Sequence, residues 1–504
     1  MIQDVSLCNP YVMNIKQAKE EIKHTIQAYH TRDQFGNYAI PTVQQRPVLL
    51  IGPPGIGKTA IMEQIAKECE IGLVAYTITH HTRQSAIGLP MIEKKMYGGE
   101  EYTITEYTMS EIIASVYDCI EQTGREEGIL FIDEINCVSE TLAPTMLQFL
   151  QNKTFGNHKV PEGWIIVAAG NPPEYNKSVR EFDIVTLDRV KYITICEDFA
   201  VWKEYAYERN IHPAILSYLE AKKEDFYCIE TTIDGKQFVT ARGWEDLSQM
   251  MKLYEQLKFP VTEEVIIQYL QHKRIAKDFA NYLDLYEKYK DQYKIDEIMQ
   301  GKIQKSTVET LANGNFDEKI SMVSLLITRL SVEIQKALQQ DWLTNELFAK
   351  LKEVKAEDSV EVVLQRQEAK TEAMKEKGLL DREVEQKAIC LHEQLETYVP
   401  IMKTKGFDGV KETFATQVEK RKTMLKEAGE KLDYAFLFLE SAFGEGQELV
   451  WFVSELTANP YTSTYIRRFG CEKYFHYNKE LLFTEKEREI KEEIKEVKDL
   501  LKFM

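Results

Sequence analysis

The run "RPVLLIGPPGIGKTAIMEQIAKEC", Arg46 to Cys69, decides how this chain is read. Its apolar start, Val48–Ile51, reads as a buried strand, and Ala60 onward has helical spacing. Between them "GPPGIGKT", Gly52–Thr59, fits the pattern G-x-x-x-x-G-K-[ST]. Gly52, Gly55 and Gly57 let the backbone turn its N–H groups inward around phosphate oxygens. Lys58 supplies a point charge for the β and γ phosphates, and Thr59 offers a hydroxyl to Mg²⁺. The helix that follows aims its positive end at the same anion. The candidate nucleotide-holding set is Gly52, Pro53, Pro54, Gly55, Ile56, Gly57, Lys58, Thr59 and Ala60.

Two later strands end in polar residues that complete such chemistry. "GILFIDEINCVSE" closes an apolar run on adjacent carboxylates, Asp133 and Glu134. The first is placed to join Thr59 in holding Mg²⁺ beside the nucleotide, and the second to face the attacking water. "WIIVAAGNPPEYN" delivers Asn171, whose amide can polarise that water. Taken alone, Asn171 reads as a turn former before Pro172. A third buried strand ending at the same edge favours the functional reading.

The totals are those of a soluble globular protein rather than a disordered one. The chain has 504 residues, 44% hydrophobic and 29% charged, enough for about three domains at roughly 150 residues each. A net charge of −18 argues against nonspecific binding to nucleic acid or anionic membrane, whose phosphates need Lys and Arg. No apolar run reaches membrane-helix length, and the start lacks a secretory pattern. Eight cysteines without CxxC or zinc-type spacing point to reduced thiols in a cytoplasm.

Five short apolar runs, 47–51, 73–78, 129–132, 164–169 and 191–195, predict a parallel sheet buried on both faces. Ile15, Ala18, Ile22, Ile26 and Tyr29 predict a helix ahead of them. Beyond residue 200 the pattern turns helical: "ARGWEDLSQMMKLYEQL" and the segment 262–289 read as helices. The fold class is therefore α/β, with three expected parts. These are an α/β nucleotide-binding core over 1–198, a helical lid over 199–295 and a mainly α-helical region over 296–504. Val384, Ala388, Leu391, Leu395 and Tyr398 form one apolar stripe, and Ile490, Ile494, Val497 and Leu501 another. Packing within a bundle is preferred to a coiled coil, because the repeats are too few.

Walker A at Gly52–Thr59, Walker B at Ile129–Glu134 and sensor 1 at Asn171 together resemble an AAA+ ATPase. "RQSAIGLP" (83–90), "NKTFGNHKVPEGW" (152–164), "LDR" (187–189) and "TARGWEDLS" (240–248) look like the MoxR-type, helix-2-insert branch of the P-loop NTPases. The resemblance covers residues 10–290 and leaves the last part of the chain unmatched. It implies that Arg189 is the arginine finger entering a neighbouring subunit's site, with Arg180 as the rival. Such a charge supplied in trans is worth around a thousandfold or more in rate. It also implies that Arg242 is the sensor 2 arginine, although Thr240 and Ala241 stand where the family has Ser and Pro. Val190 stands where the family has Phe. A homo-oligomeric ring, usually a hexamer, follows from the resemblance, as do ATP and Mg²⁺ as cofactors. Both "TRQSAIGLP" and "NKTFGNHKVPEG" then correspond to insertions facing the pore or a partner.

Under this reading the chain is a MoxR-like ATP hydrolase that remodels a protein client, and the resemblance offers a partner with a von Willebrand factor A domain as a candidate. One alternative is a nucleic-acid-acting ring motor, which needs a basic stripe that the mixed-charge helices lack. Another is a nucleotide-gated scaffold, disfavoured by the presence of Glu134 and Asn171.

Overall fold

The computed structural model describes residues 12–80, 86, 88–155, 157–175, 179, 182–232, 235–357, 359–376 and 382–478. Arg180, half of "RQSAIGLP" (residues 83–85 and 87) and the 490–501 stripe lie outside the described residues. The chain divides into two compact units. One comprises Met1–Val201, Thr240–Arg242 and Glu372–Asp381, and the other Trp202–Val239, Gly243–Thr371 and Arg382–Met504.

In the first unit the strands are β1 (Val12–Asn14), β2 (Val48–Ile51), β3 (Gly72–Thr77), β4 (Pro90–Tyr97), β5 (Glu100–Tyr107), β6 (Gly128–Asp133), β7 (Thr154–Phe155), β8 (His158–Lys159), β9 (Trp164–Gly170) and β10 (Lys191–Cys196). Six of them form one sheet in the order β1-β10-β2-β9-β6-β3, every neighbouring pair parallel. All five strands expected from the apolar runs are present, and β1 is a sixth at the edge. It is three residues long and partly exposed, too short to leave a hydrophobic signature.

The continuous hydrophobicity of the central strands reflects helices on both faces. Helices α1 (Ile15–His30) and α2 (Lys58–Glu68) cover one face; α3 (Glu111–Thr123) and α4 (Ala143–Asn152) cover the other. On the first face Val48, Leu50, Ile129, Phe131, Ile165, Val167 and Ala169 pack with Ala18, Ile22, Ile61, Met62 and Ile65. On the second, Leu49, Ile51, Leu130, Ile132, Ile166 and Ala168 pack with Ile112, Val116, Met146 and Phe149. Successive residues of one strand thus alternate between two cores, as the pleat requires. The first helix is closed by a capping box between Asn14 and Gln17.

Two antiparallel hairpins project from this sandwich. The pair β7–β8 falls in the quoted segment 152–164. The longer pair β4–β5 runs from Pro90↔Tyr107 to Tyr97↔Glu100, and the sequence reading did not identify it. Its turn is Gly98-Gly99, with φ of +60° and +93°, which suits a tight hairpin. That diglycine was the available signal. Mixed residues such as "MIEKKMY" on a two-sided, exposed hairpin obscured the strand pattern.

Among its described residues the second unit is helical apart from one hairpin, β11 (Cys228–Thr232) with β12 (Gly235–Val239). The expected helix over 262–289 is divided. Gln271 adopts φ +41°, ending Glu263–Leu270, and His272 caps a new helix, Lys273–Tyr293. Farther on, the helices Phe316–Glu357 and Arg382–Phe443 are long, the latter kinked at Gly406 (φ +64°). Leu391, Leu395 and Tyr398 pack against Leu343, Leu347, Leu351 and Val354, the bundle packing preferred for that stripe. Among the described residues no helix is long and apolar enough to cross a membrane.

The sheet also depends on two close approaches. A Cβ at Gly128 would lie 2.7–2.8 Å from three ring atoms of Trp164, and one at Gly72 would lie 2.8 Å from the same indole. Trp164 is fully buried and has no room to move. Gly128→Ala is therefore expected to destabilise the protein by about 1–3 kcal/mol through overpacking. Urea denaturation followed by tryptophan fluorescence checks this; an unchanged midpoint contradicts it.

Candidate functional site

The three polar strand ends expected to converge do so at the carboxyl edge of the sheet. Gly52 follows β2, Asn171 follows β9 and Asp133 closes β6. Register explains the alignment: Ile51 pairs with Gly170, and Ile132 with Ala168. A crevice beyond the strand ends is the usual ligand position in open α/β sheets.

The loop between β2 and α2 has the backbone its glycines allow. Gly55 and Gly57 have φ of +75° and +96°, and Gly57 is the N-cap of α2 with no side chain to fill the cap. The first N–H groups of α2 are therefore left for an external acceptor. A Cβ at Gly52 would lie 2.9 Å from the Ile195 carbonyl oxygen, so only glycine lets the loop leave the sheet here.

Lys58 is buried at the centre of this arrangement, with 8% exposure. Its Nζ donates to the carbonyl oxygens of Gly52 (2.8 Å) and Pro53 (2.8 Å) and to Asn171 Oδ1 (2.9 Å). All three ammonium protons have acceptors. Burial lowers its pKa to about 8, opposed by the Asp133 and Glu134 carboxylates and reinforced by the Arg242 charge. Arg242 thus acts electrostatically on the loop. Its Cβ would also lie 3.6 Å from a Cβ placed at Gly55.

The carboxylates are separately oriented. Asp133 Oδ2 accepts from the Thr59 hydroxyl at 3.0 Å, and Asp133 Oδ1 accepts from the Glu134 N–H at 2.9 Å. Glu134 itself has φ +58° and ψ +34°. A left-handed glutamate is uncommon and costs energy that the surroundings must supply. Its Oε2 accepts from the Thr79 hydroxyl at 2.9 Å. Thr59 and Asp133 offer hard oxygen donors at one point, a set that suits Mg²⁺. The open loop, the uncapped helix start and the buried lysine suit a nucleotide's phosphates.

Two residues that the sequence reading missed organise this edge. Asn136, 5% exposed, donates through Nδ2 to the Asn171 carbonyl (2.8 Å) and accepts from the Asn171 N–H (3.3 Å). It fixes the Asn171 backbone, and a Cβ at Gly170 would lie 2.5 Å from its Oδ1. Thr79 is the other, and neither stands in a motif that marks it. Arg189 lies apart from this cluster: it is exposed, and its guanidinium donates to Gln151. Beside it, Val190 is buried in the core with Ile132 and Leu142.

Residues 48–187 match the family described as "ATPase family associated with various cellular activities (AAA)". A stretch of 184 residues is 27% identical to the "ATP-dependent zinc metalloprotease FtsH" of Lancefieldella parvula, covering 34% of this chain and 24% of that protein. Another of 104 residues is 38% identical to the human "ATPase family gene 2 protein homolog A", covering 21% of this chain and 9% of that protein. The chain thus spans a minor part of either relative's length. A solved chain from Cytophaga hutchinsonii aligns over 38% of this chain and 48% of its own at 16% identity. Its TM-score of 0.23 is too low to carry any argument. The similarity to ATPases of the AAA family thus falls on the segment 48–187, which holds the phosphate loop and the strands that end at Asp133 and Asn171.

Proposed function

We propose that this chain hydrolyses ATP with Mg²⁺ at the edge formed by Gly52–Ala60, Asp133, Glu134 and Asn171. The observation that carries the reading is the Lys58 ammonium, buried among three acceptors while Thr59 and Asp133 meet beside it. An incoming phosphate exchanges with at least one of those acceptors. Exchange with Asn171 frees its amide to orient a water. Glu134, the carboxylate left outside the Thr59–Asp133 pair, takes the water's proton or aligns its attack. Mg²⁺, held by Thr59 and Asp133, supplies charge neutralisation on the phosphates.

The finer reading is a MoxR-like AAA+ ATPase working as a homo-oligomeric ring, a hexamer by resemblance. Arg189 serves as the finger in a neighbouring subunit's site and Arg242 as sensor 2. Exposure of Arg189 supports a role away from its own site. Turnover drives motion of the helical segment 199–295, and the region 296–504 selects a protein client, a von Willebrand factor A domain partner among the candidates. The β4–β5 hairpin, with Ile92 79% and Met96 65% exposed, suits contact with a protein rather than with nucleic acid.

The shared-site part is tested by ATP turnover against protein concentration for wild type, Arg189→Ala and Glu134→Gln, alone and mixed. Specific activity is expected to rise with concentration, to vanish in each variant and to return partly on mixing them. Turnover independent of concentration and of Arg189 contradicts it. A second expectation concerns pH. Lys58 is charged below about 8 and loses its proton as pH rises through that value, so ATP affinity should fall between pH 7 and 9.5. Fluorescent-ATP anisotropy across that range measures it, and flat affinity contradicts the assigned role of the lysine.

A further inference from the structure

In the second unit, Cys228, Glu230 and His272 bring a thiol, a carboxylate and an imidazole together, each ligating atom within 4.8 Å of the others. Cys228 and Glu230 are two residues apart on β11, so they share a face. His272 is the N-cap of the helix Lys273–Tyr293.

The three positions are tied by the backbone. In the β11–β12 hairpin Cys228 pairs with Val239 and Glu230 with Gln237. From the second strand, the Phe238 N–H donates to the Gln271 carbonyl at 3.2 Å. Gln237 Oε1 accepts from the Lys273 N–H at 3.0 Å. The hairpin is thereby fixed against the turn that presents His272.

The imidazole supplies the independent observation. His272 is 2% exposed, and its Nε2 is buried without a hydrogen bond among the described residues, although Glu230 Oε2 lies 3.3 Å away. A buried polar atom left unpartnered is costly and unusual. The Cys228 Sγ to Glu230 Oε1 distance is 3.6 Å. Tetrahedral zinc with ordinary bond lengths places sulfur and oxygen ligands about 3.5 Å apart, and nitrogen and oxygen ligands about 3.3 Å apart. Both contacts have the length of a coordination-tetrahedron edge, although they involve different oxygens of one carboxylate. Arg274, the nearby cation, is paired with Asp225 at 2.9 Å.

We propose that Cys228, Glu230 and His272 form a site for a zinc-class divalent cation, clipping the β11–β12 hairpin to the start of the helix Lys273–Tyr293. A mixed sulfur, nitrogen and oxygen set selects zinc over Mg²⁺, which takes oxygen donors. The exposed Glu230 leaves an entry path from solvent, and the fourth position falls to water. Ligation through Nε2 puts the ring proton on Nδ1. It gives up the long 3.4 Å capping contact from the Ile275 N–H.

The test uses the full chain, stripped with chelator, reduced, held in excess Mg²⁺ and titrated with Co²⁺. One equivalent is expected to give thiolate-to-cobalt charge-transfer absorption, and Zn²⁺ should displace it stoichiometrically. Cys228→Ser should remove the band, whereas Cys390→Ser, at an exposed cysteine elsewhere, should leave it. Loss of even an outer-sphere partner costs roughly 10–100-fold in metal affinity, so Glu230→Gln should weaken binding by at least that range. Glu230 is exposed, which protects this variant from misfolding. A charge-transfer band that survives Cys228→Ser, or none at tenfold excess Co²⁺, overturns the proposal.

Discussion

A single buried ammonium organises the carboxyl edge of the sheet. Lys58 is withdrawn from solvent into a ring of two loop carbonyls and the Asn171 amide oxygen. Burying a charge is costly unless it is paired or fully hydrogen-bonded. Here the compensation comes from three acceptors, with Asp133 and Glu134 favouring the charged form. Gly52 and Pro53 directly follow β2 and Asn171 directly follows β9, so the position of this one charge depends on strand register. The loop glycines, the close approach of Gly170 to Asn136 and the capless start of α2 follow from the same requirement.

That arrangement also separates the two carboxylates into different tasks. Asp133 faces Thr59 through one oxygen and steadies the Glu134 backbone through the other. Glu134 is turned into a left-handed conformation and meets Thr79 instead. Adjacent residues in one strand would normally point to opposite faces. The positive φ at the strand's end allows both to serve one edge. Strain of this kind persists where surrounding contacts over-determine it.

The sheet core was legible because central parallel strands are buried on both faces, leaving uninterrupted runs such as "PVLLI" and "WIIVAA". Lys58 and Thr59 were legible because the phosphate pattern constrains residue type at fixed spacing, and Asp133 and Asn171 because each ends or follows an uninterrupted apolar run. What escaped lacked a one-dimensional signal. Strand β1 is too short, and the β4–β5 hairpin is exposed on both faces with no clean alternation. Asn136 and Thr79 act through tertiary contacts at sequence separations of 35 and 55. The break at Gln271 was hidden because neither Gly nor Pro marks it; a left-handed glutamine and a histidine cap end one helix and begin the next. Cys228, Glu230 and His272 fit no metal spacing because a hairpin and a helix bring them together.

The most direct measurement is the calorimetric affinity of the full chain for ATP with Mg²⁺, compared with that of Lys58→Met. If the buried ammonium is the phosphate anchor, wild type binds one nucleotide per chain. Loss of a buried charged partner then weakens binding on the order of a hundredfold. Equal affinity in the two proteins would contradict the account, because the cation around which this edge is built would then play no part in holding the nucleotide.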